Sequence, residues 1–252
     1  MNSILLIILF LLMIYIDKKR GLKLFISLII NFLVLLLIFY LTALGLNPVI
    51  CSLIGCLLVS IIILFFVNGS NQKTRVSFIS IVIVLILLAI LIFSITKMSR
   101  IAGFGYESFE EINMFSYDIN IDYTSVAISL ILISLIGATV DASVAISSSL
   151  YEVYQNNKRL SVKELFKSGI NIGKDILCTT ANTLLFAFLG DFMTLLIWFH
   201  TANYSLSEVV NSKTFASELI RIIFSGMGCI LVIPITAIIT AYVLKKKLLN
   251  GE

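Results

Sequence analysis

Charge is scarce in this sequence. Asp, Glu, Lys and Arg make up 13% of its 252 residues, against 60% hydrophobic residues and a mean hydropathy of +1.09. A soluble domain with that balance could not cover its own surface with polar groups, so that class is excluded. Chemistry-bearing motifs are missing too. No P-loop, dinucleotide fingerprint, zinc-ligand spacing or nucleophile elbow occurs, so the expectation is a protein that is not an enzyme, with no cofactor and no metal. Short alternating strands are absent, which argues against a β-barrel. The four cysteines, Cys51, Cys56, Cys178 and Cys229, lie inside apolar runs and read as small packing residues. The single histidine, His200, stands beside Trp198 and Phe199 and reads as an interfacial aromatic-belt residue. The net charge of +4 implies no nucleic-acid partner, because the basic residues sit in loops between apolar runs.

What the sequence does have is long apolar runs. They are about 20 residues each, enough to cross roughly 30 Å of hydrocarbon at 1.5 Å per residue. The expectation is an all-α, polytopic transmembrane bundle in contact with the lipid bilayer. It has about seven spans, at residues 3–17, 24–45, 48–67, 77–96, 126–150, 173–198 and 219–243. The first is short, at about 15 residues, so two outcomes stay open: it sits thin in the bilayer or it fails to span. It lacks a basic n-region and a small-residue cleavage site, so it reads as a retained helix and not a signal peptide.

Every second loop is basic. Lys18, Lys19, Arg20 and Lys23 follow span 1, and Lys73 and Arg75 follow span 3. Lys158, Arg159, Lys163 and Lys167 follow span 5, and Lys245, Lys246 and Lys247 follow span 7. That pattern places the N-terminus outside and the C-terminus in the cytoplasm. Three regions result: a four-helix membrane region at 1–96, an external acidic and amphipathic loop at 97–125, and a three-helix core at 126–252 with a cytoplasmic linker at 151–172. The loop carries Glu107, Glu110, Glu111, Asp118 and Asp122 beside Phe109, Ile112, Met114 and Phe115. In the linker, Ser161-x-x-Glu164 reads as a capping box.

One polar stripe breaks the apolar pattern. Asp141 stands in span 5 within GATVDASVAISSS, near the middle of the bilayer, where an ionised carboxylate costs several kcal/mol. On span 6, Asp175, Thr179, Asn182, Thr183, Phe186 and Gly190 share one helix face. Counting from the helix ends brings Asn182 to nearly the depth of Asp141. The expectation is a buried cluster of Asp141, Asn182, Thr179 and Thr183, with Ser148 below it and with Asp175 and Asp191 nearer the water. A carboxyl able to change protonation state beside hydroxyls and an amide suits a proton relay or cation site. The bland alternative is a neutral Asp141 that only bonds Asn182 and locks two helices. An aspartyl protease is disfavoured, because Asp141 and Asp191 lie at different depths. Gly137, Gly173 and Gly190 read as close-packing positions, and Pro234 as a kink in span 7 whose freed carbonyl Thr236 or Thr240 helps satisfy.

The segments GATVDASVAISSSLYEV, SGINIGKDILCTTANTLLFAFLGDFMTLL and GMGCILVIPITAI resemble the YibE/F family of bacterial membrane proteins, over roughly residues 103–243. Cys178 stands where that family usually has glycine. The resemblance implies a multi-pass protein of the bacterial cytoplasmic membrane. Many members carry an N-terminal extracytoplasmic domain, and this sequence shows none. It is therefore similar to the YibF-like permease half of a split pair, with a YibE-like companion. A narrower resemblance, resting on one helix pair, is to SecF and the resistance-nodulation-division (RND) proteins. There a mid-membrane Asp couples proton movement to external work, which implies an RND/SecF-like core in the C-terminal half. Two functions are carried forward: a proton- or ion-coupled permease subunit, or a non-transporting scaffold for a partner in export or envelope assembly. A homo-oligomer is compatible with both.

Overall fold

The computed structural model describes residues 2–99 and 122–249, with the side chains of 2, 3, 19, 97, 99, 191 and 247–249 outside that description. Among the described residues every regular element is helical. These are α1 (Asn2–Ile16), α2 (Lys18–Ala43), α3 (Pro48–Ile61, running into a π-helical turn Ile62–Val67), α4 (Gln72–Ser99), α5 (Tyr123–Asn156), α6 (Val162–Thr201), α7 (Leu206–Asn211) and α8 (Lys213–Leu249). Six of them, α2 with α3 to α6 and α8, are long and apolar enough to cross a membrane, and α1 is a shorter apolar helix over Ile4–Ile16. The chain is a multi-pass membrane protein. The expected acidic loop falls mostly at 100–121, outside the described residues.

Local chemistry sets the boundaries. Asp17 accepts from the Arg20 N–H at 3.2 Å to start α2 immediately after α1, and Asn47 accepts from Val49 at 3.0 Å ahead of Pro48 at the first turn of α3. Ser161 and Glu164 close the expected capping box at the start of α6. At the start of α5, Asp122 accepts from the N–H groups of Thr124 and Ser125 and, at 2.6 Å, from the Ser125 hydroxyl. That hydroxyl, followed by the backbone donors, holds the Asp122 carboxyl below the usual carboxylate range.

The core forms where α5 meets α8 and α4. Leu132, Leu135, Val140 and Ile146 of α5 are fully buried, as are Val84 and Ile92 of α4 and Val232 and Ala237 of α8. In lipid such contacts gain little from expelling water, so close fit and buried hydroxyls carry the association. Ser77 of α4 meets Ser147 of α5 at 2.8 Å, and Ser143 of α5 meets Thr236 of α8 at 3.1 Å. Nearer the other end, Ser134 meets Ser225 at 3.2 Å. The pairs 134–225 and 143–236 keep nearly constant offset, so α5 and α8 run parallel. Helix α6 runs antiparallel to α8. A side chain on Gly173 would collide with Ile233, and one on Gly169 would stand 2.8 Å from Ala237 and 2.9 Å from Leu150.

The basic loops gather at one end of the bundle. Arg20 donates to Asn68 at 3.0 Å, Lys73 lies 5.0 Å from the centre of the Tyr151 ring, and Lys245 donates to the Lys158 carbonyl at 3.2 Å. The four segments whose alternation stood out in the sequence therefore share one face. Pro234 lies inside α8, but Thr236 and Thr240 do not turn back to the carbonyl it frees. Thr236 faces α5 and bonds Ser143, and Thr240 donates to the Thr236 carbonyl at 2.6 Å. The expected repair by these hydroxyls is thus corrected: both lie on the buried face.

Two predictions follow from this packing. Gly173→Leu lowers the unfolding temperature in detergent, by an overpacking cost of about 1–3 kcal/mol. Gly226→Leu, where an added Cβ meets nothing within 4 Å, leaves it nearly unchanged. Separately, because Asp122 titrates below the free carboxylate, its cap is fully present above the ordinary carboxylate range and is lost as pH falls through the lower folded value. The protection factors of the Thr124 and Ser125 amides, measured against their intrinsic exchange rates, therefore fall on acidification, and Asp122→Asn removes that pH step.

Candidate functional site at the meeting of three helices

Asp141 lies about 27 Å along α5 from Tyr123, at 1.5 Å per residue. It is exposed, while its neighbours Val140 and Ala142 are buried. Helical geometry accounts for this: Thr139 and Ser143 stand about 200° round the helix from Asp141 at 100° per residue, on the face occupied by α8 and α4. Asp141 forms no hydrogen bond or ion pair among the described residues. It does lie within electrostatic reach of Cys229 on α8, whose thiol also interacts with the Thr180 hydroxyl of α6. Three helices thus converge around a fully buried cysteine, with the carboxylate at the edge of that junction.

The expected polar cluster is not closed within one chain. Thr179, Asn182 and Thr183 are exposed, where burial was expected. The reason lies in how α6 packs. Beyond residue 178, the least exposed positions are Thr180, Leu184, Phe188, Phe192, Leu195 and Phe199, a single stripe. Phe192 packs edge-on against Phe215 of α8 at 5.2 Å. That stripe turns the polar face away from the core. Thr179 donates to the Ile176 carbonyl at 2.9 Å and Thr183 to the Thr179 carbonyl at 3.0 Å, so both hydroxyls are satisfied within their own helix. Asn182 has no such bond among the described residues.

Register refines the depths. From the Gly169–Leu150 contact, thirteen residues on along α6 and thirteen back along α5 bring Asn182 level with Gly137. Asn182 therefore stands one turn, about 6 Å, farther than Asp141 from the basic end, and Thr179 lies nearer its level. Ser148 is half-buried, without a hydrogen bond among the described residues, and Asp175 is exposed. The side chain of Asp191 lies outside the described residues. Of the three glycines read as packing positions, Gly173 is buried against α8, whereas Gly137 and Gly190 face open space. Cys178 is exposed, and the other three cysteines are buried.

Some contacts around Asp141 and along α5 escape the sequence reading, which takes Cys229 only as a packing residue and Thr236 only as a neighbour of Pro234. Thr180 of α6 and Cys229 of α8 come together beside the carboxylate, and Ser77 and Thr236 complete the hydroxyl contacts of α5. The available signal was the recurrence of hydroxyls four residues apart, Ser143 with Ser147 and Thr236 with Thr240. No candidate metal cluster of His, Cys, Asp and Glu occurs among the described residues.

The sequence also matches the family model of the YibE/F-like proteins over residues 5–246, nearly its whole length. The chain belongs to the YibE/F-like family. Neither a curated protein nor a solved structure matched, which leaves the SecF/RND-like core an expectation from sequence. In this YibE/F-like protein the family match covers the first four helices as well as the C-terminal segments that carried the resemblance.

The geometry separates two neighbours on α5. Asp141→Asn, on the uncovered face, keeps the unfolding free energy in detergent within about 0.5 kcal/mol. Ser143→Leu, at a fully buried hydroxyl contact, costs about 2 kcal/mol or more through overpacking and loss of the Thr236 partner. Thermal unfolding of the two purified variants checks this contrast.

Proposed function

We propose that the chain is the membrane-embedded permease subunit of a YibE/F-type system, coupled to protons or ions through Asp141. In this reading it is not an enzyme. It resides in the bacterial cytoplasmic membrane with its basic end in the cytoplasm and its N-terminus outside. A companion membrane protein supplies an extracytoplasmic domain. One observation carries the reading: a carboxylate set mid-way along a span, with no cation to neutralise it among the described residues, at the junction of three helices. A group placed there to pack the helices of one chain would be expected to hydrogen-bond a neighbouring helix of that chain. Asp141 instead stands at the surface of its junction, where a proton or cation can arrive and leave. Thr179 and Asn182 lie within about one turn of its level and supply oxygen and amide groups for a relay or ligand set, with Thr183 beside them and Ser148 towards the basic end.

The scaffold reading keeps one observation of its own. The exposed threonines bond their own backbone and not Asp141, as they would on a docking face.

Proton uptake into proteoliposomes, driven by a potassium diffusion potential, separates the two. The permease reading predicts that Asp141→Asn reduces uptake at least tenfold, while Asp175→Asn, nearer the basic end, retains most of it. Equal uptake by wild-type and Asp141→Asn protein removes Asp141 from the mechanism and favours the scaffold.

A further inference from the structure

The uncovered face of α5 and α6 raises a problem the single chain does not solve. In hydrocarbon, a side-chain amide and a carboxyl without partners each carry a desolvation cost, and such groups in membrane helices face a protein interior or water. Here Asp141 and Asn182 both lie on exposed helix faces and do not bond each other. The same surface carries two glycines, Gly137 and Gly190, at which an added Cβ would meet nothing within 4 Å. Glycines open to the outside leave a helix flat enough for another backbone to approach.

We propose that this face docks against the same face of a second copy of the chain, so that Asn182 of each copy meets Asp141 of the other. The occupant is a second copy because the patch is complementary to itself. It holds a hydrogen-bond acceptor on α5 and an amide donor on α6, and a two-fold axis along the membrane normal brings α6 of one copy against α5 of the other at unchanged depth. Depth also fits. Asn182 is level with Gly137, so the amide side chain of one copy faces the gap left by a glycine of the other.

The remaining turn between Asn182 and Asp141 closes through side-chain direction. Side chains lean toward the N-terminus of their own helix. As α5 and α6 are antiparallel, Asp141 leans toward the level of Asn182, and Asn182 leans toward that of Asp141. Two such pairs form per dimer, and each polar site takes a residue from both copies. This goes beyond the permease reading and does not depend on it. It requires only that α5 and α6 cross a bilayer.

The test uses two differently tagged copies of the full chain in a background of Cys51→Ala, Cys56→Ala, Cys178→Ala and Cys229→Ala. One copy also carries Asp141→Cys and the other Asn182→Cys, and they are co-reconstituted and oxidised with copper phenanthroline. Each chain has one cysteine, so a mixed disulfide is necessarily between copies. The expected result is a disulfide joining the two tags, absent when Asp141→Cys is exchanged for Ile90→Cys on the exposed side of α4. Independently, wild-type chains with native cysteines and one dye each are counted by photobleaching in dilute liposomes. Two-step bleaching is expected, with Asn182→Leu raising the dissociation constant about tenfold from the loss of two interhelical pairs. Absence of the mixed disulfide in a background that unfolds like wild type overturns the proposal. Single-step bleaching of the wild type at every dilution overturns it too, and if the cysteine-free background does not fold, bleaching alone decides. Neither readout involves transport, so failure here leaves the permease reading standing, and the reverse.

Discussion

The parallel pairing of α5 with α8 is the constraint on which the other features rest. It is built from fully buried apolar side chains interleaved with hydroxyls, of which Ser143 and Thr236 meet at 3.1 Å. In a bilayer those hydroxyls have no water to return to, so they keep the pair in one register. By occupying that face of α5, the pairing sends Asp141 to the other side. Helix α6 then docks on α8 through Gly169 and Gly173 near the basic end and through its phenylalanine stripe near the opposite end. This arrangement leaves the polar face of α6 outward.

The two kinds of polar residue on that surface meet the membrane differently. Thr179 and Thr183 cost little there, because each donates to a carbonyl of its own helix. Asn182 makes no such bond among the described residues, and an ionised Asp141 carboxylate has no proton to donate to a carbonyl one turn back. Asp141 and Asn182 are therefore where the chain is least complete by itself. A carboxylate that is uncovered, near mid-span and beside a junction of three helices suits a group that exchanges a proton or cation, and it also lies on the face proposed above to dock a second copy.

Much of the architecture was legible in the sequence, for reasons that differ by element. Apolar runs and alternating basic loops identified the membrane helices, and the structure brings Arg20, Lys73, Lys158 and Lys245 to one end as that alternation requires. The capping box at Ser161 and Glu164 was readable because it depends only on local spacing. Helix rotation was not readable. The i, i+4, i+7 pattern of Asp175, Thr179 and Asn182 shows that they share a face, but not which way it points. Burial was expected on the ground that polar groups avoid lipid, yet the bulky stripe from Leu184 to Phe199 decides the rotation. Gly137 and Gly190 were misplaced for the same reason, while Gly173 lies where close packing needs it.

The most direct test of the central claim, that Asp141 is a working carboxyl and not a fixed element of packing, is its protonation as a function of pH. Carboxyl infrared absorption of the purified protein in lipid, subtracted against Asp141→Asn, isolates that one group. The account predicts a protonated-carboxyl band that appears and disappears reversibly within the pH range where the protein stays folded. A band that is constant across that range would contradict it, since a group locked in one protonation state cannot couple proton or ion movement to anything.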